Sequence, residues 1–269
     1  MTATDTAFTG SIAALYDQLM VPLKFIPWAE DMANRIAALA PATILETAAG
    51  SGVVTEQIAR VLPNAQITAT DLNPGMLEIA ARRPGLERVT FQPADAQALP
   101  FSDSSFDLVA CQFGVMFYPD RIAAAREVRR VLRPGGTYIF SVWNSLDQNP
   151  VSRLLSNALA EEFPDNPPSF YARIPFSYYD TGRIDADLSA AGFTNIAIDT
   201  LEYRHGPLTA REAAEGMCRG SPLAAEIATH GGGALDRAVE ASTRALQSVC
   251  GADGRINAVM SAHMVIARS

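Results

Sequence analysis

The chain has 269 residues, of which 48% are hydrophobic and 19% are charged, a composition that excludes a disordered or fibrous protein. This length suits one large α/β domain, or one domain with a small lid. The 29 acidic and 21 basic residues give a net charge of −8. That charge disfavours duplex nucleic acid as the main partner, because proteins that bind it usually need a basic face.

Short apolar runs alternate along the chain with segments whose apolar residues recur every three or four positions, which are the patterns of strands and helices. In chain order we predict a helical segment over 11–40, a strand over 44–46, a helix over 54–62, a strand over 67–70, a helix from 74, a strand over 89–91, a strand over 106–111, a helix over 121–132 and a strand over 138–143. This alternation predicts a parallel sheet with helices on both faces.

The alternation is lost over 144–179, which is rich in proline and aromatic residues, and we interpret this segment as an insertion over the top of the sheet. The remaining predicted elements are a capped helix over 180–191, a strand over 196–201, a helical stretch over 209–250 and a last strand over 259–266. A capping box formed by Thr209 and Glu212 opens the helical stretch, and three glycines at 231–233 break it.

The first predicted strand runs into a glycine-containing turn that is followed by a helix. Glycine lets the backbone approach a ligand, and the start of a helix offers free N–H groups, so this turn is a candidate nucleotide site. A dinucleotide fingerprint needs a third glycine three positions after Gly52, where this chain has Thr55. Glu46 would repel a pyrophosphate but could bind a cation. The alternative interpretation is that this segment is an ordinary turn between a strand and a helix and binds no ligand.

Two further acids follow the second and third predicted strands. Asp71, nineteen residues after Gly52, could accept both hydroxyls of a ribose, and Asp95 could accept the amino group of an adenine. Each alone could equally be a helix cap or a turn former. Together with Glu46, they place three acids at the carboxyl edge of the sheet, where open α/β sheets bind ligands. The set suits a ligand with a ribose, an adenine and a cationic centre, and no phosphate.

These segments resemble the class I S-adenosylmethionine-dependent methyltransferases, most of all the small-molecule branch that includes the ubiquinone/menaquinone-biosynthesis type. The motifs that carry the resemblance cover roughly 44–143 in the family's order and spacing, and they are 44–52, 70–76, 94–101, 106–109 and 127–136, extended by 188–193. Ala48 departs from the family's usual first glycine. The resemblance implies a Rossmann-like sheet of seven strands, mostly parallel with an antiparallel last strand, with helices on both faces and lid insertions.

The resemblance also implies S-adenosylmethionine as cofactor and S-adenosylhomocysteine as product. By position, Glu46 would lie near the methionine moiety, Asp71 would take the ribose hydroxyls, and Asp95 with Ala96 would read the adenine edge. The other implied cofactor contacts are the backbone of Ala48, Ala49, Gly50, Ser51 and Gly52, Leu72 and Met76 against the adenine, Gln112 and Phe113 at the methionine end, and Tyr16 on an N-terminal helix that closes over the cofactor. For Tyr16 a plain packing role stays open.

Methyl transfer would be an in-line displacement from the sulfonium, so the protein mainly supplies position and a dry site. The aromatic residues expected to line a pocket for the acceptor are Phe25, Trp28, Phe117, Tyr118 and Trp143, with the hydrophobic core as their alternative place. A phenol, enol or carbon acceptor would also need a base. His205, just after the sixth predicted strand, is the candidate, and a surface or core histidine is the alternative.

We expect a single methyltransferase domain over 1–269. Its parts are an N-terminal helical cap (1–40), a cofactor-binding core (41–143), a lid insertion (144–179), a helix with strand six (180–206), a helical cover (207–255) and the last strand (256–269). The expected partner is a small-molecule methyl acceptor and not nucleic acid, and a homodimer is left open.

Three cysteines, Cys111, Cys218 and Cys250, form neither a disulfide framework nor a zinc spacing, so we expect no metal and a reducing cytoplasm. No signal peptide is recognisable at 1–5, and no uncharged apolar stretch reaches about 18 residues, so we expect no membrane span. Two other classes stay open. One is a nicotinamide-dependent oxidoreductase, and the other is a repurposed fold that binds the cofactor without transferring methyl.

Overall fold

Asp5, Phe8 and residues 10–269 are described by the structure, a computed structural model. The strands are β1 Thr43–Glu46, β2 Gln66–Asp71, β3 Thr90–Pro93, β4 Phe106–Gln112, β5 Leu132–Trp143, β6 Thr194–Arg204 and β7 Val259–Arg268. In this part of the chain they form one seven-stranded sheet in the order β3-β2-β1-β4-β5-β7-β6. The expectation that no signal peptide is present concerns 1–5, of which 1–4 lie outside the described residues.

Strands β1 to β5 pair in parallel, and β7 runs antiparallel between β5 and β6. This confirms the predicted fold class, a Rossmann-like sheet that is mostly parallel with an antiparallel last strand. The chain order of the strands reverses at β1, which lies between β2 and β4. In open α/β sheets a ligand crevice forms at such a point, outside the carboxyl ends of the strands.

The helices that surround the sheet are α1 Ser11–Leu15, a π-helix Tyr16–Phe25, α2 Ile26–Leu39, α3 Val53–Val61, α4 Pro74–Ala80, α5 Arg121–Val131, α6 Pro150–Glu162, α7 Phe170–Arg173, α8 Thr181–Ala190, α9 Ala210–Arg219, α10 Leu223–Ala228 and α11 Ala234–Leu246. Side chains fix where several of them begin. Asp180 accepts the backbone N–H of Arg183 at the start of α8, and Thr209 with Glu212 forms the predicted capping box at the start of α9.

The core lies between the sheet and the helices. Trp28, Met32 and Ile36 of α2 are fully buried, as their helical spacing predicts. Central strand β4 carries a continuous buried run from Leu108 to Cys111, which is typical of a parallel strand covered on both faces. Burial of this apolar surface holds the carboxyl ends of the strands in fixed relative positions.

The N-terminal helical segment differs from a simple α-helix. Residues Tyr16–Phe25 form a π-helix of ten residues between α1 and α2. Pro22 lies inside it and supplies no backbone N–H, which weakens the i to i−4 hydrogen bonding of an α-helix at that point. Long π-helices are rare, and π-helical turns often occur at functional sites.

Two predicted element boundaries were wrong. Helix α5 ends at Val131, close to the predicted end. The residues that follow it were predicted to lie between that helix and a strand over 138–143, but they are part of β5, which begins at Leu132. Phe106 pairs with Leu132 and Leu108 with Thr137, so the residues between Leu132 and Thr137 bulge out of the ladder. The helical stretch over 209–250 breaks at the predicted glycines and also between α9 and α10.

The insertion over 144–179 contains a helix of thirteen residues, α6, that its composition does not predict. Most of its aromatic residues are buried, Phe170 and Phe176 among them, whereas Tyr179 is exposed. In the described part of the chain, no helix is both long enough and apolar enough to cross a membrane.

Candidate functional site

A cavity of about 290 Å³ opens at the carboxyl edge of the sheet. Residues that follow four neighbouring strands line it, as the position of the chain reversal at β1 predicts. They are Ala48 and Gly50 after β1, Asp71, Leu72, Asn73 and Met76 from the end of β2 onward, Ala94, Asp95, Ala96 and Gln97 after β3, and Gln112, Phe113, Gly114, Phe117, Tyr118 and Pro119 from the end of β4 onward, together with Phe8 and Tyr16 from the N-terminal segment. A smaller cavity beside it is lined by Tyr16, Phe25, Glu46, Ala48, Ala49, Gly50, Ser51, Val53, Val54 and Gln112.

The turn between β1 and α3 wraps one wall of both cavities. Ala48, Gly50 and Gly52 all have positive φ angles, of 52°, 57° and 82°. A side chain at Gly52 would place its Cβ 2.8 Å from the Cβ of Ala80, so glycine is what lets α3 and α4 pack this closely. The backbone N–H of Ala49 donates to the carbonyl of Thr70 at 2.9 Å, which ties the turn to β2.

The carboxylate of Asp71 lies where β2 ends and faces the main cavity. Its Oδ2 accepts the N–H of Gly50 at 2.8 Å and its Oδ1 accepts the N–H of Asn73 at 2.8 Å. Burial raises the pKa of Asp71, and the backbone hydrogen bonds act in the opposite direction. The side chain of Asn73 also bonds to this carboxylate. Because each carboxylate oxygen can accept two hydrogen bonds, two adjacent hydroxyls can bind here in place of the Asn73 side chain without displacing the backbone donors.

Glu46, at the end of β1, is buried and lines the smaller cavity. Its Oε2 accepts the hydroxyl of Thr55 at 2.6 Å. Burial, with a smaller contribution from the Asp71 carboxylate, raises the pKa of Glu46 to about 8. A cation in the smaller cavity would favour the ionised carboxylate and lower that pKa again.

Two buried polar atoms beside Glu46 have no hydrogen-bond partner within the described residues, namely Oε1 of Gln112 and Oγ of Ser51. Gln112 lines both cavities, and its Nε2 donates to the carbonyl of Phe25 at 3.4 Å. Unpartnered buried acceptors are costly, and a ligand with N–H or O–H groups would satisfy them. With the Asp71 carboxylate and the turn, these atoms form a donor and acceptor set that fits an amino acid joined to a nucleoside.

Aromatic rings form part of the wall of the main cavity. Phe113, which lines it, stacks on Trp143 with ring centroids 3.9 Å apart, and Trp28 meets Phe113 edge-on at 5.7 Å. Trp28 and Trp143 are buried behind this wall and line neither cavity. Phe117 and Tyr118 line the main cavity, and Phe25 lines the smaller one.

The residues predicted to bind the cofactor come together at the two cavities, apart from Gly52, which packs against α4. Asp95 is exposed at the rim, where its Oδ1 accepts the N–H of Gln97 at 2.8 Å. Leu72 is 57% exposed at the same rim, and Met76 is buried. The role of each of these residues stays a prediction.

His205, the candidate base, lines neither cavity. It is buried, and both ring nitrogens are without a hydrogen-bond partner among the described residues. Burial, with a contribution from the charge of Lys24, lowers the pKa of His205 to about 3. The imidazole is therefore neutral across the physiological range.

Lys24 is the only lysine of the chain, a rarity that the sequence alone attributes to a bias in composition and to no function. Its side chain is buried, with Nζ donating to Ser152 at 2.9 Å and lying 4.7 Å from the centre of the Trp143 ring. Burial lowers the pKa of Lys24 to about 7. No carboxylate lies within ion-pair distance of it in the described part of the chain. Its uniqueness in an arginine-rich chain is the one signal that could have singled it out.

A methyltransferase domain family matches residues 44–136. A demethylmenaquinone methyltransferase of Thermobifida fusca is 32% identical over 213 residues, which cover 73% of this chain and 89% of that protein. An uncharacterized protein of Mycobacterium tuberculosis is 39% identical over 137 residues, which cover 50% of this chain and 47% of that protein. The match thus spans about half the length of such relatives.

Among solved structures, phosphoethanolamine N-methyltransferase 2 of Haemonchus contortus, in complex with phosphomonomethylethanolamine and S-adenosylhomocysteine, aligns with a TM-score of 0.64. The alignment covers 100% of this chain and 61% of that chain at 17% sequence identity. At this identity the likeness establishes a shared fold.

Proposed function

The chain belongs to the class I S-adenosylmethionine-dependent methyltransferases, and from this premise we propose that it methylates a small, neutral, apolar acceptor of the quinol type. The observation that carries the proposal is the mixed lining of the main cavity, which combines the Asp71 carboxylate and the glycine turn with the rings of Phe8, Phe113 and Phe117. The carboxylate and the turn suit a nucleoside, and the rings suit a flat, uncharged molecule.

When bound, S-adenosylmethionine supplies a methyl group already activated on a sulfonium centre. Asp71 would accept the ribose hydroxyls, and Asp95 with Ala96 would face the adenine. The buried carboxylate of Glu46 and the unpartnered Oε1 of Gln112 would hold the methionine end. Tyr16 and Phe113 would exclude water from the reacting atoms, since both line the cavity.

The charge of the cavity supports a neutral acceptor. Among the described residues that line the main cavity, the charged ones are Asp71 and Asp95, both acidic, and there is no lysine, arginine or histidine. A phosphorylated acceptor would enter this site without a cation to pair with, which is unfavourable. We therefore favour an acceptor of the kind named for the demethylmenaquinone methyltransferase of Thermobifida fusca over a phosphorylated amine.

An acceptor hydroxyl or carbon must lose a proton during transfer, and His205 stays our candidate base for that step. Its imidazole is neutral and can accept a proton, although a pKa of about 3 makes it a weak base. Replacing His205 with Gln tests the role. A fall in turnover of roughly 10²-fold at unchanged cofactor affinity supports it, and unchanged turnover places the base elsewhere or shows that none is needed.

We also propose that 1–269 acts as one domain, with 144–179 and 207–255 as covers of the acceptor side. Phe170 of α7 lies against Phe117 of the cavity wall, with ring centroids 6.3 Å apart. Such covers often move when a substrate binds.

The experiment that tests the proposed function uses cofactor labelled in its methyl group. The purified chain is incubated with it and, in separate reactions, with reduced demethylmenaquinone or phosphoethanolamine, and the products are identified by mass spectrometry. We expect label in the quinol and none in phosphoethanolamine. Binding of the cofactor without transfer to any acceptor would support the repurposed fold. Binding of NAD in place of S-adenosylmethionine would overturn the proposal.

A further inference from the structure

Arg83, three residues after α4, joins three separate segments at the cofactor end of the cavity. Its Nε donates to the backbone carbonyl of Ser51 at 2.5 Å, and its Nη1 donates to Glu56 at 2.7 Å. Its Nη2 pairs with Asp17 of the π-helix. The side chain of Arg83 is 19% exposed, so these bonds are partly shielded from water.

The three acceptors require an arginine. They belong to the π-helix, the turn after β1 and helix α3, and one planar guanidinium reaches all of them with different nitrogens. A lysine ammonium at the same place is a single point of charge and cannot span three acceptors in a fixed fork. Charge-assisted bonds of this kind are stronger than neutral ones and fix orientation as well.

The π-helix contributes Tyr16 to the wall of the cofactor cavity and is also anchored to the cover. Its Leu19 packs so closely on α9 that a Cβ on Gly216 would lie 2.8 Å from the Leu19 Cβ, and its Lys24 donates to Ser152 of α6. Across the described residues, the pair of Asp17 with Arg83 is the only ion pair that joins the π-helix to 41–143. The other links between the π-helix and this core are at its far end, where Phe25 packs on Phe113 and accepts a hydrogen bond from Gln112, so the ion pair is the charged tie at the Tyr16 end.

Tyr16 makes this pair relevant to the site, because it precedes Asp17 directly and lines both cavities. Its ring stacks on Phe25 at the other end of the π-helix, with centroids 5.3 Å apart. Burial, with the charges of Asp71 and Asp17, raises the pKa of Tyr16, so its hydroxyl stays protonated beside the Asp71 carboxylate.

We propose that Arg83 is a positioning residue that clamps the π-helix, through Asp17, onto the turn that holds the cofactor. The clamp keeps Tyr16 over the cavity and sets how fast the cofactor leaves. This deepens the proposed function and rests on it only in taking S-adenosylmethionine as the bound molecule. Opening the clamp weakens the hold on the cofactor while the reacting atoms keep their own contacts.

The first arm of the test measures hydrogen exchange of 15–25 in the cofactor-free protein for Arg83→Lys, Asp17→Asn, Glu56→Gln and the control Arg82→Lys, whose parent arginine is exposed. We expect faster exchange in the first two and wild-type exchange in the control. Because Asp17→Asn keeps the fork to Ser51 and Glu56, it separates clamping of the π-helix from support of the turn. If hydrogen exchange of 15–25 becomes faster in Glu56→Gln but stays at the wild-type rate in Asp17→Asn, the clamp is refuted.

The second arm measures release of S-adenosylhomocysteine by stopped flow and the kinetics of transfer. For Arg83→Lys and Asp17→Asn we expect release to quicken about tenfold and the KM for cofactor to rise, with kcat little changed. Added salt should quicken release from the wild type and not from Asp17→Asn. Folded variants that release product at the wild-type rate would overturn the proposal. If the wild type binds no S-adenosylmethionine, the proposed function fails. The hydrogen-exchange measurement still tests the clamp in that case, because it is made on the cofactor-free protein.

Discussion

The hydroxyl of Thr55 donates to the buried carboxylate of Glu46 at 2.6 Å, which links the start of α3 to the end of β1. Thr55 stands where a dinucleotide fingerprint would have its third glycine. The threonine thus has a function of its own, since it holds the acid that a pyrophosphate site would have to avoid. This pair favours a ligand with a cationic centre over a dinucleotide at this edge of the sheet.

Cofactor binding should release protons because of Glu46. Its pKa is about 8 in the cofactor-free protein, so the carboxyl is mostly protonated at pH 7. A bound cation favours the ionised form, which lowers that pKa and expels the proton. We therefore expect the affinity for the cofactor to rise as the pH increases from about 6 to 8, by up to about tenfold per pH unit. Calorimetry in buffers with different ionisation enthalpies measures the protons released.

Glu46→Gln is the matched control for that experiment, because it keeps the size and the acceptor for Thr55 while removing the titration. The protons that are released when the cofactor binds to the variant come from titration of the cofactor itself. That number is subtracted from the number released with the wild type. Equal proton release by the variant and the wild type would show that Glu46 does not face the cation.

Asp71→Ala should weaken binding of S-adenosylmethionine by about 1.5–3 kcal/mol. The carboxylate would lose its bonds to the ribose hydroxyls, and the N–H groups of Gly50 and Asn73 would lose their acceptor. Titration calorimetry gives the affinity, and Asp165→Ala, at an exposed position, is the control. Unchanged affinity in Asp71→Ala would contradict the assignment of Asp71 to the ribose.

The covers should become protected when ligands bind. Phe170 touches Phe117 of the cavity wall, and α9 packs against the π-helix that carries Tyr16. Hydrogen exchange in 144–179 and 207–250 is therefore expected to slow on adding S-adenosylhomocysteine and acceptor. Helix α8, none of whose residues lines either cavity, is the internal control. Equal exchange with and without ligands would contradict the idea of a lid.

The sequence predicts the sheet and the acids of the site well because both depend on local patterns. Residues close together in the sequence determine each strand, each helical repeat and the turn at 48–52. The parallel topology then places the ends of the strands at one edge of the sheet. Asp71 and Glu46 could be named without coordinates for that reason.

The clamp and the buried lysine could not be named, since they depend on contacts across long sequence separations. Arg83 and Asp17 are 66 positions apart, and Lys24 and Ser152 are 128 apart. The placement of Trp28 and Trp143 behind Phe113 also follows from tertiary packing, because an aromatic residue in a strand or helix pattern does not reveal which layer of the wall it occupies. The π-helix was missed because its apolar spacing is close to that of an α-helix.

Ala48→Gly should stabilise the fold by about 0.5–1 kcal/mol, because an alanine at positive φ is strained there and glycine is not. Ala48 has a φ of 52° and stands where the family usually has glycine. Ala49→Gly is the matched control, since Ala49 has no positive φ, and it should destabilise by a similar amount. Urea denaturation gives both values. Destabilisation by Ala48→Gly would show that its methyl group packs more favourably than its backbone is strained.

Lys24→Met should stabilise the protein at pH 6 by about 1–3 kcal/mol, and the gain should fade as the pH rises. Burial lowers the pKa of Lys24 from 10.5 to about 7, so the folded state binds this proton less tightly than the unfolded state. The cost is complete below about pH 7 and disappears as the pH approaches 10.5, because there the unfolded chain also loses the proton. Methionine fills a similar volume among Trp143 and Phe176 without a charge.

Urea denaturation of the variant and the wild type at pH 6, 8 and 10 measures that difference. The shifted pKa of Glu46 does not involve Lys24, so its contribution is the same in both proteins and cancels. The pKa of His205 does depend on the charge of Lys24, so the comparison at pH 8 and 10, where the imidazole is neutral in the folded and the unfolded chain, isolates the contribution of Lys24. Arg82→Met, at an exposed position, should give no difference that depends on pH. If Lys24→Met is less stable than the wild type at every pH, the bond to Ser152 and the surrounding rings outweigh the cost of burying the ammonium. In that case Lys24 anchors the π-helix as a charged group.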